Sequence, residues 1–315
     1  MKTDVFFLLH IIVDFFTADK MIFLVALVAF LTDAAMASSV TMPSWPNRTV
    51  SWWYACDNDW PAAVAQITPY VPSGLVTTIQ TYCGWDISDA GKIIGSTSPE
   101  CVEFFKAIGK MGVKGELATG SGNCSIAAMR LLWADTITSP QQLLSAALAV
   151  NASGWNIDFE PQADNCAGSP TGTAADAVLF ASWLSAVRGA LTPHGIRLTV
   201  DVASWSPVLG QFAVLAKSVD RLQNMGTYNG ASSAEWMEGY APYLAATPLA
   251  CVGVGIGAWS DGKTDWWETA QGAAFKVARA KADNVPELAV FRIVPGATPW
   301  PLEFWWAALA KYVAP

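Results

Sequence analysis

Two carboxylic acids that lie close together in one strand-like stretch are the residues of this chain best suited to chemistry. Over residues 154–160, three large apolar residues alternate with Asn156, Asp158 and Glu160. Alternation with a period of two is typical of a β-strand, whose successive side chains point to opposite faces. Asp158 and Glu160 would then lie about 6.6 Å apart along one face of the strand. Two carboxylates at this spacing repel each other, which keeps one of them protonated at neutral pH, as a general acid requires.

The face that carries these acids is predicted to line an enclosed site. The neighbouring strand-like stretches are apolar on both faces, and buried parallel strands have this composition. The alternative is a strand end at which the two acids only cap the following loop.

The elements that must position the acids follow from the order of patterns along the chain. Strand-like stretches alternate with helical patterns, without a linker or a break in composition. This order predicts a single-domain α/β fold, the (β/α)8 (TIM) barrel, over residues 38–315. A doubly wound open sheet is the alternative, but no GxGxxG or Walker motif supports it. The eight predicted strands are 49–55, 75–82, 114–119, 154–160, 196–203, 221–228, 251–258 and 288–294. Active sites of such barrels lie at the C-terminal ends of the strands, where Glu160 ends the fourth one.

Residues 1–37 are predicted to be a secretory signal peptide. Two apolar runs, 6–16 and 21–31, precede the small-x-small pattern Ala35-Met36-Ala37. A retained signal anchor is the alternative, and Met21 is a second possible start. We therefore expect a secreted or lysosomal (vacuolar) protein that is not bound to a membrane after processing. Three Asn-x-Ser/Thr sites are consistent with a secreted glycoprotein. They begin at Asn47, Asn123 and Asn151.

Composition narrows the possible partners. The chain has 315 residues, of which 53% are hydrophobic, and this is ample for one large core. A net charge of −8 argues against nucleic acid as a partner. The 16 tryptophans include candidates for stacking on sugar rings. We expect a monomer.

All six cysteines follow the predicted signal peptide, which favours three disulfides. Cys56 and Cys83 are the first expected pair, because they lie at the ends of adjacent predicted strands. Cys124 with Cys166 is the second, and buried free thiols are the alternative. The absence of a CxxC pair, with His194 as the only histidine after the leader, argues against a zinc site.

Residues 153–160 resemble the motif Asp-Gly-x-Asp-x-Asp-x-Glu of glycoside hydrolase family 18, the chitinase family. Gly154, Asp158 and Glu160 match this motif, whereas Ser153 and Asn156 stand where the family usually has Asp. The form Asn-Ile-Asp-x-Glu is similar to the di-N-acetylchitobiase branch. The family carries the motif on the fourth strand of a barrel, which agrees with the predicted position here.

Further positions extend the resemblance. Residues 226–229 are similar to the family pattern Met-x-Tyr-Asp, in which Tyr228 matches and Asn229 replaces Asp. Asp201 lies in a stretch similar to the chitobiase branch, as a partner of the site or as a strand-end cap. The usual tryptophan on strand eight is missing, and Trp300 in the next loop is expected to replace it as the floor of the sugar site.

The resemblance implies hydrolysis of β-1,4 bonds next to N-acetylglucosamine, with the substrate's own acetamide as the nucleophile. Glu160 would be the general acid and base, Asp158 would hold the acetamide N–H, and Tyr228 would donate to its carbonyl oxygen. No metal or cofactor is needed. With an amide at position 156 in place of an acid, the carboxyl pKa values are expected to fall. The remaining positions expected to bind substrate are Asn156, Asn229, Asp201 and Trp300.

The expected substrates contain N-acetylglucosamine: chitin, chitooligosaccharides or chitobiose, with peptidoglycan and N-glycan cores as further candidates. The competing function is a catalytically inactive chitinase-like lectin that binds such glycans. Lectins of this family usually lose the acid that corresponds to Glu160, so its presence favours an enzyme.

The mature protein is expected to begin near Ser38 and to be recovered in soluble form. N-terminal sequencing of the protein from a secreting host measures this directly. An intact leader in the membrane fraction would contradict the prediction.

Overall fold

The computed structural model describes residues 48–54, 59–120, 125–161, 171–228, 232–258, 268–293 and 303–315. The predicted signal peptide and its cleavage site lie outside these ranges. Three cysteines and two predicted substrate-binding residues do so as well. They are Cys56, Cys124, Cys166, Asn229 and Trp300.

Eight parallel strands close into a barrel. Each strand pairs with its neighbours in chain order, and β1 pairs with both β8 and β2. The strands are β1 (Thr49–Tyr54), β2 (Thr78–Ile87), β3 (Lys114–Thr119), β4 (Gly154–Ile157), β5 (Arg197–Val202), β6 (Arg221–Asn224), β7 (Val252–Gly257) and β8 (Glu287–Ile293). The closed order confirms the predicted (β/α)8 barrel and excludes the open doubly wound sheet.

Helices connect the strands on the outside of the barrel. They are α1 (Trp60–Ile67), α2 (Pro99–Lys110), α3 (Ile126–Trp133), α4 (Thr138–Val150), α5 (Ala174–Leu191), α6 (Phe212–Leu215), α7 (Ser233–Ala246), α8 (Ala270–Ala282) and α9 (Glu303–Val313). Short 3-10 helices occupy Thr68–Tyr70, Thr192–His194, Met225–Thr227 and Leu249–Cys251. A two-residue strand, Ile93–Ile94, pairs antiparallel with the end of β2.

The hydrophobic core lies between the strands and the helices. α5 shows how the sequence builds it, because its first turn is closed by a capping box of Thr173 and Asp176 and its inner face is fully buried. The segment Ala174–His194 is the one described helical segment that is long and apolar enough to cross a membrane. Phe180, Trp183 and Leu184 from this segment are fully buried, as in the core helix of a globular barrel.

Two strands end at least three residues before their predicted ends, and both differences fall at the C-terminal end of the barrel. β4 ends at Ile157, so that Glu160 lies three residues beyond the paired strand. β6 ends at Asn224, whose side-chain Oδ1 accepts a hydrogen bond of 2.9 Å from the Gly226 N–H. This side-chain bond starts a 3-10 turn, because Asn competes well for nearby backbone donors. Tyr228 therefore follows a turn and is not on a strand.

The first predicted cysteine pair is wrong, and the second, Cys124 with Cys166, lies outside the described residues. Cys83 is bonded to Cys101 of α2, with 6.0 Å between the Cα atoms, and therefore does not pair with Cys56. β2 continues past the predicted strand end at residue 82, which brings Cys83 beside the helix that follows. Cys251 is a half-buried free thiol, so the expected set of three disulfides does not form.

Replacing Cys83 and Cys101 together by Ser is expected to lower the free energy of unfolding by about 3 kcal/mol, because the bridge closes a loop with a sequence separation of 18. Denaturant titration of the oxidised protein and the variant measures the difference. Cys251→Ser is the matched control and should leave the midpoint nearly unchanged. Equal stability of wild type and double variant would contradict the assignment of a stabilising bridge.

Candidate active site

A buried ion-pair group lies at the N-terminal end of the barrel interior. Arg197 of β5 places Nη2 2.6 Å from Glu116 Oε1 on β3 and Nη1 2.7 Å from Glu287 Oε2 on β8. All three side chains are fully buried or nearly so. Buried charges need such partners, because the cost of removing them from water is several kcal/mol per ion.

The pKa values of the two carboxyl groups in this ion-pair group are shifted in opposite directions. Burial alone would raise the pKa of Glu287, but the charges of Arg197 and Arg221 and its hydrogen bonds hold that pKa at about 2. Burial outweighs the charge of Arg197 at Glu116, whose pKa is raised. Glu287 is therefore a fixed carboxylate. Its hydrogen-bond donors include Gln223 Nε2 at 2.7 Å and Ser51 Oγ at 3.0 Å.

Asn156 lies above this group, on β4, and is fully buried. Its Nδ2 donates to Thr199 Oγ1 at 3.1 Å, to Asp201 Oδ1 at 3.1 Å and to Gln223 Oε1 at 3.3 Å. The predicted substrate-binding Asn156 thus joins the strands β4, β5 and β6. Its contacts position neighbouring side chains, and it lies below the acids and not at the barrel mouth.

Asp158 and Glu160 continue the same face beyond the end of β4. The Asp158 backbone N–H donates to Thr119 Oγ1 at 3.2 Å, which extends the pairing of β3 and β4 by one bond. Burial raises the pKa of Asp158 well above its usual range, and the charges of Asp201 and Glu160 add to this. Burial also raises the pKa of Glu160. On the acidic face Asn156 is fully buried, whereas Asp158 and Glu160 are partly exposed.

Asp201 points into the barrel and is 3% exposed, so the alternative of a strand-end cap is wrong. Burial raises its pKa to about 8; the charge of Glu160 and the deeper carboxylates add to this, and the bond from Asn156 opposes it. At neutral pH this carboxyl group is mostly protonated. It therefore adds a third acid to the two that the sequence motif supplied.

Tyr228 joins the acids from the other side. Burial raises the pKa of its phenol well above 10, and the charges of Asp201, Asp158 and Glu160 add to this, so all three acids lie near the ring. A Cβ atom on residue 255 would lie 2.5 Å from a Tyr228 ring carbon, and only the glycine found there leaves room for the ring. The structure thus brings together four of the seven predicted site residues around one point, with Asn156 beneath them.

Two aromatic residues that the sequence analysis did not select lie beside this point. The Phe291 ring of β8 is 5.4 Å from the Tyr228 ring at an interplanar angle of 25°, and Trp53 of β1 is 5.3 Å from Phe291. The family pattern for β8 specifies a tryptophan, so Phe291 did not stand out. An aromatic residue near the C-terminal end of a barrel strand was the signal that could have found it.

The arrangement can perform acid–base chemistry. It holds carboxyl groups with raised pKa values within electrostatic reach of one another and of a phenol donor. Raised carboxyl pKa values near neutral pH are what a general acid requires. Among the described residues, no group of three or more His, Cys, Asp or Glu is arranged to hold a metal ion.

No sequence profile of a known family and no curated protein sequence matches the chain. Solved structures do match. A chitinase from Chromobacterium violaceum ATCC 12472 superimposes with a TM-score of 0.63 at 18% identity, covering 85% of this chain and 99% of its own. A GH18 chitinase from Pseudoalteromonas aurantia gives 0.63 at 16% identity, covering 84% and 100%. The Bacillus cereus spore cortex-lytic enzyme SleL gives 0.65 at 13% identity, covering 86% and 76%. At these identities the likeness establishes a chitinase-like fold.

Replacing Asp201 by Asn is expected to stabilise the protein at neutral pH. The folded-state pKa of about 8 lies above the unfolded value of about 3.9, so the folded state binds the extra proton and wild-type stability falls as the pH rises from 4 to 8. A tenfold difference in proton affinity between the folded and unfolded states corresponds to about 1.4 kcal/mol, so the effect should reach a few kcal/mol near pH 8.

Denaturant titrations at several pH values measure this effect, with Asp59→Asn at an exposed position as the control. A constant difference between wild type and Asp201→Asn from pH 4 to pH 8 would show that Asp201 titrates normally.

Proposed function

We propose that this protein is a glycoside hydrolase that cleaves β-1,4 bonds next to N-acetylglucosamine in chitin, chitooligosaccharides or chitobiose. The observation that carries the proposal is the convergence of Asp158, Glu160 and Tyr228 at one end of the barrel, with electrostatic coupling among them. The chitinase-like fold supports it, since chitinases are among the proteins that share this barrel. The chitobiase-like form of the motif favours short substrates.

In the proposed reaction, Glu160 gives its proton to the oxygen of the leaving sugar while the bond from that oxygen to the anomeric carbon breaks. The acetamide carbonyl oxygen of the substrate attacks the anomeric carbon and forms an oxazolinium-like intermediate. Water then attacks the anomeric carbon, the ring of the intermediate opens, and Glu160 takes the proton of the water. The raised pKa of Glu160 supports its role as the acid of the first step.

Asp158 and Tyr228 act on the acetamide group. Asp158 accepts a hydrogen bond from the acetamide N–H, and its negative charge stabilises the positive charge that develops there. Tyr228 donates to the acetamide carbonyl oxygen and orients it for attack. The strongly raised pKa of Tyr228 keeps the phenol protonated at every relevant pH, as a donor requires.

We also propose that Phe291 and Trp53 supply the apolar floor of the sugar site in place of the missing tryptophan on strand eight. The Phe291 ring stands next to Tyr228 and the Trp53 ring stands next to Phe291, so a sugar held by the tyrosine would have its apolar face close to Phe291. Trp300, Asn229 and Asp201 remain proposed contacts of the substrate.

Peptidoglycan and N-glycan cores are the other candidate substrates, and the likeness to a spore cortex-lytic enzyme keeps the first of these open. Incubation with chitooligosaccharides, peptidoglycan fragments and a chitobiose-core glycan, with products identified by mass, separates the three. We further propose a secreted or lysosomal monomer. The glycosylation site at Asn151 is exposed at the end of α4, which is compatible with modification.

Glu160→Gln is expected to abolish turnover and to leave sugar binding largely intact, because Gln keeps the size of Glu but cannot donate the proton. General acid catalysis contributes about 10² to 10⁴-fold, and kcat on chitooligosaccharides should fall by at least this much. Glu238→Gln, at an exposed position of α7, is the matched control. An inactive lectin would show no wild-type turnover. Hydrolysis by Glu160→Gln at the wild-type rate would remove Glu160 from the mechanism.

A further inference from the structure

Two buried oxygen atoms of the site accept no hydrogen bond from the described part of the chain: Asn156 Oδ1 and Asp158 Oδ1. The two residues stand two positions apart on the same face, so their side chains are neighbours. Each oxygen is an acceptor, and a buried acceptor without a donor destabilises the folded state. Two neighbouring acceptors of this kind indicate that a proton lies between them and forms a hydrogen bond that joins them.

The amide of Asn156 cannot turn to relieve this. Glu287 is a fixed carboxylate and takes Gln223 Nε2 as a donor at 2.7 Å, which leaves Gln223 Oε1 directed at Asn156. An amide oxygen can only accept, so Asn156 must present Nδ2 to it. Nδ2 also donates to Asp201 Oδ1, which a turned amide would lose. The other end of the amide, Oδ1, is thereby committed to the side of Asp158.

We propose that Asn156 is a positioning residue that holds Asp158 in its protonated form, with the carboxyl O–H of Asp158 donating to Asn156 Oδ1. A single proton then satisfies both buried oxygens. The ion-pair group at the other end of the barrel fixes the orientation of the Asn156 amide: Glu287 orients Gln223, and Gln223 orients Asn156.

The charged groups around Asp158 favour the same state. Glu160 follows it on the chain, Asp201 faces it from β5, and Tyr228 faces it from the end of β6. Below them, Glu116 on β3 and Glu287 on β8 are two more acids. The buried cations of this interior, Arg197 and Arg221, lie with those two lower acids.

Asp201 is the competing donor, because its carboxyl group is also mostly protonated at neutral pH. A proton from Asp201 would satisfy Asp158 Oδ1 but would leave Asn156 Oδ1 without a donor. Only a proton on Asp158 itself pairs both atoms, and the two arrangements give opposite results when Asp201 is replaced.

The catalytic consequence rests on the proposed function. Asp158 must be ionised to stabilise a positively charged intermediate, so the pH at which it loses its proton sets the acid limb of activity. Asn156 raises that pH by stabilising the neutral carboxyl group. Variants at position 156 should therefore move the acid limb of kcat/KM to lower pH.

The test follows the Asp158 carboxyl group by 13C NMR in protein labelled at the Asp side chains, without substrate, with Asp158→Asn to assign the resonance. Wild-type Asp158 should titrate well above the usual value of about 3.9. Asn156→Leu should lower the titration midpoint by about one pH unit, the equivalent of one hydrogen bond. The greater apolarity of Leu would by itself raise the midpoint, so a fall identifies the lost acceptor.

Asn156→Thr, a smaller change that suits a strand, should also lower the midpoint, because its hydroxyl group can donate to the ionised carboxylate. It provides the measurement if Asn156→Leu fails to fold. The fall on changing Asn156 should persist in the Asp201→Asn background.

Three results would overturn the proposal. They are a wild-type midpoint near 3.9, no fall on changing Asn156, and a fall that disappears in the Asp201→Asn background. Because the titration needs no substrate, it is decided separately from activity. A high Asp158 midpoint without hydrolysis of chitooligosaccharides would contradict the proposed function alone.

Discussion

The ion pair between Arg197 and Glu287 is the interaction on which the rest of the barrel interior depends. It keeps Glu287 ionised in a place where burial alone would protonate it. A fixed carboxylate dictates which end of Gln223 faces it, and the Gln223 amide in turn dictates the orientation of Asn156. Breaking a buried pair by removing one partner typically costs about 3–5 kcal/mol, because the other charge remains uncompensated. The ion pair therefore affects both the stability of the fold and the orientation of side chains at the site, although it lies at the opposite end of the barrel interior from Asp158 and Glu160.

Charge is distributed unevenly along this interior, and the imbalance adds to the rise in carboxyl pKa values that burial causes at the site. The arginines lie with Glu116 and Glu287, whereas the charges that act on Asp158 are those of Asp201 and Glu160, and both raise its pKa. The sequence motif has an amide at position 156 where an acid is usual, so lower carboxyl pKa values were expected. They are raised, first because the carboxyl groups are buried and also because Asp201, whose Oδ1 lies 3.1 Å from Asn156 Nδ2, adds an acid to the site.

The patterns that repeat along the chain were sufficient to predict the barrel, because alternating strands and amphipathic helices have only a few ways to bury their apolar faces. The β3 boundaries were predicted residue for residue. The errors arose where a side chain competes with the backbone or where two elements meet in space. Asn224 ends β6 because its side chain accepts a hydrogen bond from the Gly226 N–H, and a hydrophobic pattern gives no sign of such a bond. Cys83 pairs with Cys101 of α2, a helix that lies beside it only in the folded chain. Phe291 was missed because its contact with the Tyr228 ring forms only in the folded chain.

The barrel interior is polar, so the apolar core lies in the layer between the strands and the helices. Along a strand, apolar residues therefore face the helices and polar residues face the interior. Trp155 of β4 faces that outer layer and is fully buried there, while Asn156, its neighbour in the chain, faces the interior. The outer layer can then stabilise the fold without constraining which acids stand inside. An acid at position 156 would compete with Asp158 and Asp201 for protons, and the three would titrate together. An amide whose orientation is fixed cannot take a proton from them, and it offers only an acceptor to Asp158. With an amide at position 156, the neighbouring acids keep their raised pKa values, and under our proposal the proton is held by Asp158.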